Sequence, residues 1–242
     1  MISRYFSWGI FGVVLMVVAL IHYVRRQPSF YWLYLIIFLG PLGALIYLAI
    51  EGLPEMFNPG AFRFVERGRR LREVEGAIRQ NPSAGNYEEL GLLLLDKRDW
   101  AGARACFDKA LAQRTDSLDP FYRRGLAEVE LGDFAAARAD LEHVATADPG
   151  YDFQRAAGLL ALADWKTGDI ERAQRLFEQV LRTSTLTETQ LNYAEFLAET
   201  GHREQAKQQA MRIRDKRAGM PGFQRRRERK LFRRNGALLR KL

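Results

Sequence analysis

Three histidines, His22, His143 and His202, and one cysteine, Cys106, are the side chains best suited to nucleophilic or metal chemistry, and their spacing supports neither. A single thiol forms no internal disulfide and no multi-thiolate metal site. Cys106 lies between Ala105 and Phe107, which makes it a small packed residue on a helix. His143 is followed by Val144-Ala145 and His202 by Arg203-Glu204, so neither opens a zinc-binding His-Glu-x2-His motif. The chain has no P-loop and no Gly-x-Ser-x-Gly elbow. These absences point away from an enzyme, and the sequence implies no cofactor and no metal.

The charged residues suggest binding instead. The chain has 242 residues and a net charge of +8, unevenly spread. Residues 212–242 hold 13 Lys/Arg and 2 Asp/Glu, whereas residues 62–211 hold 21 Lys/Arg and 25 Asp/Glu. Such a basic tail suits anionic partners. Its candidate contacts are Arg225, Arg226, Arg227, Arg229, Lys230, Arg233 and Arg234, interleaved with Phe223, Leu231, Phe232, Leu238, Leu239 and Leu242. Anionic lipid headgroups are one expected partner, nucleic acid a second, and a solvated tail the alternative to both.

The elements that would position these residues are set by a repeat. A four-residue turn recurs as Lys97-Arg98-Asp99-Trp100, Leu131-Gly132-Asp133-Phe134, Thr167-Gly168-Asp169-Ile170 and Thr200-Gly201-His202-Arg203. The steps between second residues are 34, 36 and 33, the period of stacked helical hairpins. Small residues recur on the first helix of each hairpin (Gly91, Gly125, Ala161, Ala194) and on the second (Ala103, Ala137, Ala173, Ala206). Phe107, Leu141 and Phe177 fill the space between neighbours. Asp99, Asp133 and Asp169 stand where a side-chain oxygen can cap the second helix. A lone hairpin cannot bury its apolar face, so the array must stack.

From about residue 84 the chain resembles tetratricopeptide repeats. Repeat one carries Tyr87, Leu90-Gly91, Leu94, Ala103, Phe107 and Ala110. Repeat two departs at Arg124 and Glu128, where apolar residues are usual, and repeat three follows a small insertion. The resemblance implies a groove lined by the first helix of each repeat. By register its lining is Glu88, Leu92 and Asp96; Tyr122, Leu126 and Glu130; Leu162, Trp165 and Lys166; and Leu191, Glu195 and Glu199. Chaperone-binding relatives clamp a peptide carboxylate with Lys, Asn and Arg, a set not assembled at these positions. A basic or mixed helical segment of a partner protein suits this lining better.

The first fifty residues differ from the rest. Tyr5 to Val24 is apolar except for Ser7 and His22, and Phe30 to Ile50 is uncharged. Each run is long enough to cross a hydrocarbon core as a helix, and Arg25-Arg26-Gln27-Pro28-Ser29 reads as the turn between them. Pro41 should kink the second run, and Gly40 and Ala44 share a face open to close approach. Arg4, Arg63, Arg67, Arg69 and Arg70 flank the two spans on the side of the termini, which places the repeats in the cytoplasm. The stretch from Tyr31-Trp32-Leu33 to Phe38-Leu39-Gly40-Pro41-Leu42-Gly43-Ala44-Leu45-Ile46-Tyr47 resembles the membrane hairpin of cardiolipin synthases and related phospholipase D-type proteins. That family's activity needs paired His-x-Lys-x4-Asp motifs, which are absent here, so the resemblance implies an anchor without its enzyme.

The sequence thus predicts an all-α protein: two transmembrane helices in residues 1–52, a basic linker and helix in 53–83, about four helical hairpins forming an α-solenoid in 84–218, and a basic tail in 219–242. The expected role is a membrane-anchored scaffold for protein–protein interaction, integral to a bacterial inner membrane. The alternatives are a membrane-tethered nucleic-acid or ribosome binder acting through the tail, and an accessory subunit of a phospholipid-synthesis enzyme.

Overall fold

The structure, a computed structural model, describes residues 2–26, 29–52, 59–113 and 116–242, with side chains described for 11–24, 29–51, 66–113 and 116–242. Contacts divide the chain into two units, residues 1–72 and 73–242.

In the first unit, α1 is Ile2–Arg26, α2 is Tyr31–Leu39 and α3 is Pro41–Tyr47, followed by a π-helical turn over Leu48–Gly52. Gly40, at φ 56°, separates α2 from α3, and Pro41 opens α3 because it has no N–H to give to α2. Ala19, Trp32, Ile36, Ala44 and Tyr47 form the unit's core. Gly12 faces Pro41 so closely that a Cβ would stand 2.9 Å from its ring. His22 Nδ1 lies 2.9 Å from the Tyr47 hydroxyl. Phe11, Val17, Phe38 and Leu42 are exposed.

The two transmembrane helices expected here do not stand. Among the described residues no helix is long and apolar enough to cross a membrane. The second apolar run is cut at Gly40 into helices of nine and seven residues. Of α1, side chains are described for residues 11–24, a stretch shorter than a span needs. The expected two-pass integral location falls with the spans. The turn residues Gln27 and Pro28 lie outside the described residues, and Arg63 outside the described side chains.

The helix expected within 53–83 is α4, Pro59–Gln80. Eight helices then pair in order: α5 (Ala84–Lys97) with α6 (Trp100–Ala112), α7 (Asp119–Leu131) with α8 (Phe134–Ala147), α9 (Tyr151–Lys166) with α10 (Ile170–Leu181), and α11 (Thr187–Glu199) with α12 (Arg203–Gly219). Each also packs on the next hairpin. The recurring turn works as its residue types require. Arg98, Gly132, Gly168 and Gly201 adopt positive φ, the left-handed step that ends a helix. Asp99, Asp133 and Asp169 then accept from the backbone N–H of Gly102, Ala136 and Arg172 at 3.0, 3.3 and 3.3 Å, capping the second helices.

Close packing explains the small residues. A Cβ on Gly91 would meet the Phe107 ring at 2.7 Å, and one on Gly125 would meet Leu141 at 3.0 Å. The main core joins repeats two to four through Tyr122, Leu141, Phe177, Tyr193, Phe196 and Leu197. A smaller cluster in the first repeat holds Ala103 and Phe107 against Ala127. The extra length before repeat three is taken up at the start of α9, where Asp152, Phe153 and Gln154 all have positive φ.

Charged clamps join neighbouring repeats on the second helices. Arg104 Nε lies 3.2 Å from Glu128 and its Nη1 3.0 Å from the cap Asp133. One period later, Arg138 Nε lies 2.9 Å from Asp164 and its Nη2 3.1 Å from the cap Asp169. Arg124 spans Asp140 at 2.6 Å and Asp108 at 2.7 Å. The two departures in repeat two are therefore ion-pair positions, not gaps in the pattern.

After the fourth hairpin, α13 (Gly222–Arg227) leads to α14 (Arg229–Leu239). α14 lies on α12 and, less extensively, on α11, the place a fifth repeat's first helix would take. Phe232 and Leu238 join Leu191, Ala194, Ala210 and Ile213 in one cluster. The helix covers apolar surface that α11 and α12 would otherwise expose.

Candidate binding groove

The first helices α5, α7, α9 and α11 carry the positions predicted to line a groove, and these positions end in different environments. In the first half, Leu92, Asp96 and Glu130 are exposed and Leu126 is half-buried. Glu88 is half-buried, and its pKa is raised by burial and by the charge of Asp119. Tyr122 is buried, and its hydroxyl donates to Asp152. Burial raises its pKa well above the usual phenol range, so the ring is neutral at physiological pH.

In the second half, Leu162 and Trp165 are core residues of the array and Leu191 is fully buried in the cluster under α14. The polar positions there pair with one another. Lys166 Nζ sits 3.4 Å from Glu199 and 3.4 Å from the centre of the Trp165 ring, so it is held by charge and by the ring face. Glu195 accepts from Arg234 Nε of α14 at 2.6 Å, and Arg234 also donates to Asn192 at 2.7 Å. Of the tail residues predicted to meet anions, Arg234 is thus turned onto the groove face. Arg225, Arg226, Arg227, Arg229, Lys230 and Arg233 are exposed.

The first helices are also linked by polar residues outside the register positions. Tyr151 donates to Asp119 at 2.8 Å. Arg155 donates to Glu188 at 2.7 Å and to the Tyr122 hydroxyl at 3.3 Å, linking three consecutive first helices. Each falls within the first turns of its helix, upstream of the positions counted back from the turn. The sequence signal was the recurrence of polar residues there: Asp119, Asp152, Arg155 and Glu188.

One cleft opens between α5 and α7. It encloses about 460 Å3 and is lined by Glu89, Leu92, Leu93, Leu95, Asp96, Trp100, Arg123 and Leu126. Its floor is apolar, and Glu89 and Asp96 stand on its α5 side. Leu92 keeps 40% of its surface exposed, although a leucine gains by burial. Arg123, on its α7 side, pairs with Asp119 at 3.2 Å.

The histidines have local roles. His143 packs on Phe121 with ring centres 4.5 Å apart, and His202 Nδ1 lies 3.1 Å from the Thr200 hydroxyl. Among the described residues no cluster of His, Cys, Asp and Glu could hold a metal ion.

Two models of the tetratricopeptide repeat match the chain, one over residues 88–152 and one over 128–186. The hairpins of this stretch are tetratricopeptide repeats. Cellulose synthase operon protein C of Escherichia coli (strain K12) is 33% identical over 130 residues, which cover 48% of this chain and 10% of that protein. The putative protein of the same name in Escherichia coli O157:H7 is 32% identical over 127 residues, covering 48% and 11%. The chain therefore spans about a tenth of the length of the curated relatives it matches. Among solved structures, MamA from Desulfovibrio magneticus RS-1 superposes with a TM-score of 0.59 at 18% identity, over 70% of this chain and 97% of that one. YrrB, described as a tetratricopeptide-repeat protein with an unusual peptide-binding site, gives 0.55 at 21% identity, over 63% and 79%. PilW, a type IV pilus biogenesis factor, gives 0.54 at 18% identity, over 88% and 96%. At these identities the likeness is one of fold. The resemblance of residues 5–52 to the cardiolipin synthase hairpin is not supported.

Proposed function

We propose that the tetratricopeptide repeats form a protein-interaction scaffold whose working surface is the first-helix face of repeats one and two. The ligand is a segment of a partner protein presenting a large apolar side chain beside a lysine or arginine. The observation that carries this reading is the cleft between α5 and α7, where exposed Leu92 and half-buried Leu126 adjoin exposed Asp96. The chain itself offers a precedent, since the guanidinium of Arg234 on one helix is received by Glu195 of a first helix. The likeness to YrrB, a protein described as binding peptide, agrees with the reading.

The test is selection of binders from a random peptide library, followed by affinity measurements on variants. Selected peptides should pair an apolar residue with a cation. Leu92→Asp should weaken them by at least about tenfold, about 1.4 kcal/mol, and Asp96→Lys should weaken them in proportion to their positive charge. Acidic selected peptides, or affinities indifferent to both substitutions, would refute the assignment.

A further inference from the structure

The arginine-rich C-terminal stretch presents a second surface that shares no residue with the cleft. In α14 the buried residues Phe232, Asn235 and Leu238 are three apart and so share one face. Asn235 Nδ2 donates to the Ala210 carbonyl at 2.9 Å, and the Arg217 guanidinium lies over the Phe232 ring. That face is used up by contact with α11 and α12.

The opposite face carries Arg229, Lys230, Arg233 and Arg240, all exposed, and α13 adds exposed Arg225, Arg226 and Arg227. Glu228 is the one acidic residue in 222–242. The cations are therefore crowded without matching acids from their own segment.

Two anionic partners were open on sequence alone, and the packing separates them. A helix lying on a bilayer buries an apolar face among the acyl chains. Here Phe232 and Leu238 are buried in the array, and Leu231, Leu239 and Leu242 are half-buried against it. What is left for an external partner is charge and one ring, Phe223, which is 71% exposed. Guanidinium groups bind phosphate oxygens in a two-pronged fashion, and arginines outnumber lysines 10 to 3 in residues 212–242. An exposed aromatic beside a cationic track stacks on unpaired bases of any type.

We propose that the exposed face of α13 and α14 binds single-stranded nucleic acid through its phosphates, without sequence preference. The recognition is electrostatic, with Phe223 adding stacking. It stands or falls separately from the peptide-binding cleft.

The experiment is fluorescence anisotropy of the full chain with a labelled single-stranded RNA of about 20 nucleotides, titrated at about 50 and about 200 mM salt. Neutralising about five phosphates predicts an affinity loss of about 100-fold between those salt concentrations. The triple variant Arg226→Glu, Arg229→Glu and Arg233→Glu should lose at least about tenfold in affinity and flatten the salt dependence. The Arg→Lys set at the same positions should keep the salt dependence, and Phe223→Ala should weaken binding several-fold. Thermal melts of each variant report whether the array is intact. Anionic phosphatidylglycerol vesicles at equal phosphate concentration should bind more weakly than the RNA. Absence of RNA binding at the lower salt, indifference of an intact triple variant, or tighter binding to vesicles than to RNA would each overturn the proposal.

Discussion

The first two repeats and the last two share one hairpin plan and finish it differently. At one register the residues are Leu92, Leu126, Leu162 and Glu195; at another they are Asp96, Glu130, Lys166 and Glu199. In the first half these positions leave Leu92, Asp96 and Glu130 exposed, the first two at an open cleft. In the second half Leu162 goes into the core, Lys166 pairs with Glu199, and Glu195 is taken by Arg234 of α14. The interiors follow the same division. Repeats two to four share the large aromatic core around Phe177, Tyr193 and Phe196, whereas repeat one rests on Ala103, Phe107 and Ala127. The first half thus leaves these positions unpaired at its cleft, and the second pairs them beside a recess of about 600 Å3 lined by Glu195, Glu199 and Arg234. A repeat period fixes where helices lie but not which of those two uses a given register serves.

The largest test of this division compares equivalent core phenylalanines. Phe177→Ala should destabilise the array by about 3–5 kcal/mol and shift its whole denaturant transition. Phe107→Ala, in the terminal repeat, should instead produce local fraying, because end units of a solenoid open independently. Hydrogen exchange resolved by segment reads the difference: α5 and α6 lose protection in the second variant while α9 to α12 keep theirs. Equal loss throughout would mean that the halves are not distinct.

An intermediate effect concerns pH. Glu128 is 3% exposed, and its pKa is pushed up to about 7, first by burial and then by the charge of Asp140, against the attraction of Arg104 and Arg124. Between about pH 4.5 and 7 the folded state holds a proton that the unfolded chain has released, so this group's contribution to stability falls as pH rises through that window, by up to about 3 kcal/mol. Asp164, fully buried in the next clamp, is raised by burial in the same direction. Urea midpoints at pH 5 and pH 8 should converge in Glu128→Gln relative to the wild type. A wild type that gains stability over this window relative to the variant would contradict the assignment.

The smallest effect lies in the turns. Arg98 holds the left-handed position that Gly132, Gly168 and Gly201 hold in the later repeats. Glycine adopts that conformation without the steric cost a side chain carries. Arg98→Gly should therefore stabilise the first hairpin by up to about 1 kcal/mol, seen as a small rise in melting temperature. A fall would show that the Arg98 side chain holds something the glycines do not.

Much of the array was legible because its constraints are local. The period, the Asp caps and the Gly91–Phe107 packing all follow from residue types at fixed offsets. Glu128 and Arg124 broke the pattern, and the break itself marked the clamps, whose partners Arg104, Asp140 and Asp108 lie 16 to 24 residues away along the chain and so escape a local reading. The apolar runs of the first fifty residues were misread as two spans. Counting apolar residues gives no weight to the backbone break at Gly40, which ends one helix and starts another. In the tail, the 13 basic residues of 212–242 concealed Phe232, Asn235 and Leu238, whose spacing of three was the available sign of a packed helix. Among the positions taken by register, Leu92, Asp96 and Glu130 of repeats one and two are exposed. The inward turn of Leu162 and Leu191 depends on the aromatic core and on α14, which register does not see.

The central claim is that partner binding is confined to the first half of the first-helix face. It is tested most directly by placing a photo-crosslinking residue at Leu92, or separately at Glu199, and irradiating each protein with a peptide selected on the wild-type chain. The account predicts crosslinks mapping to the peptide from position 92 and none above background from position 199. Efficient crosslinking from 199 with none from 92 would place the binding surface in the self-paired half and contradict it.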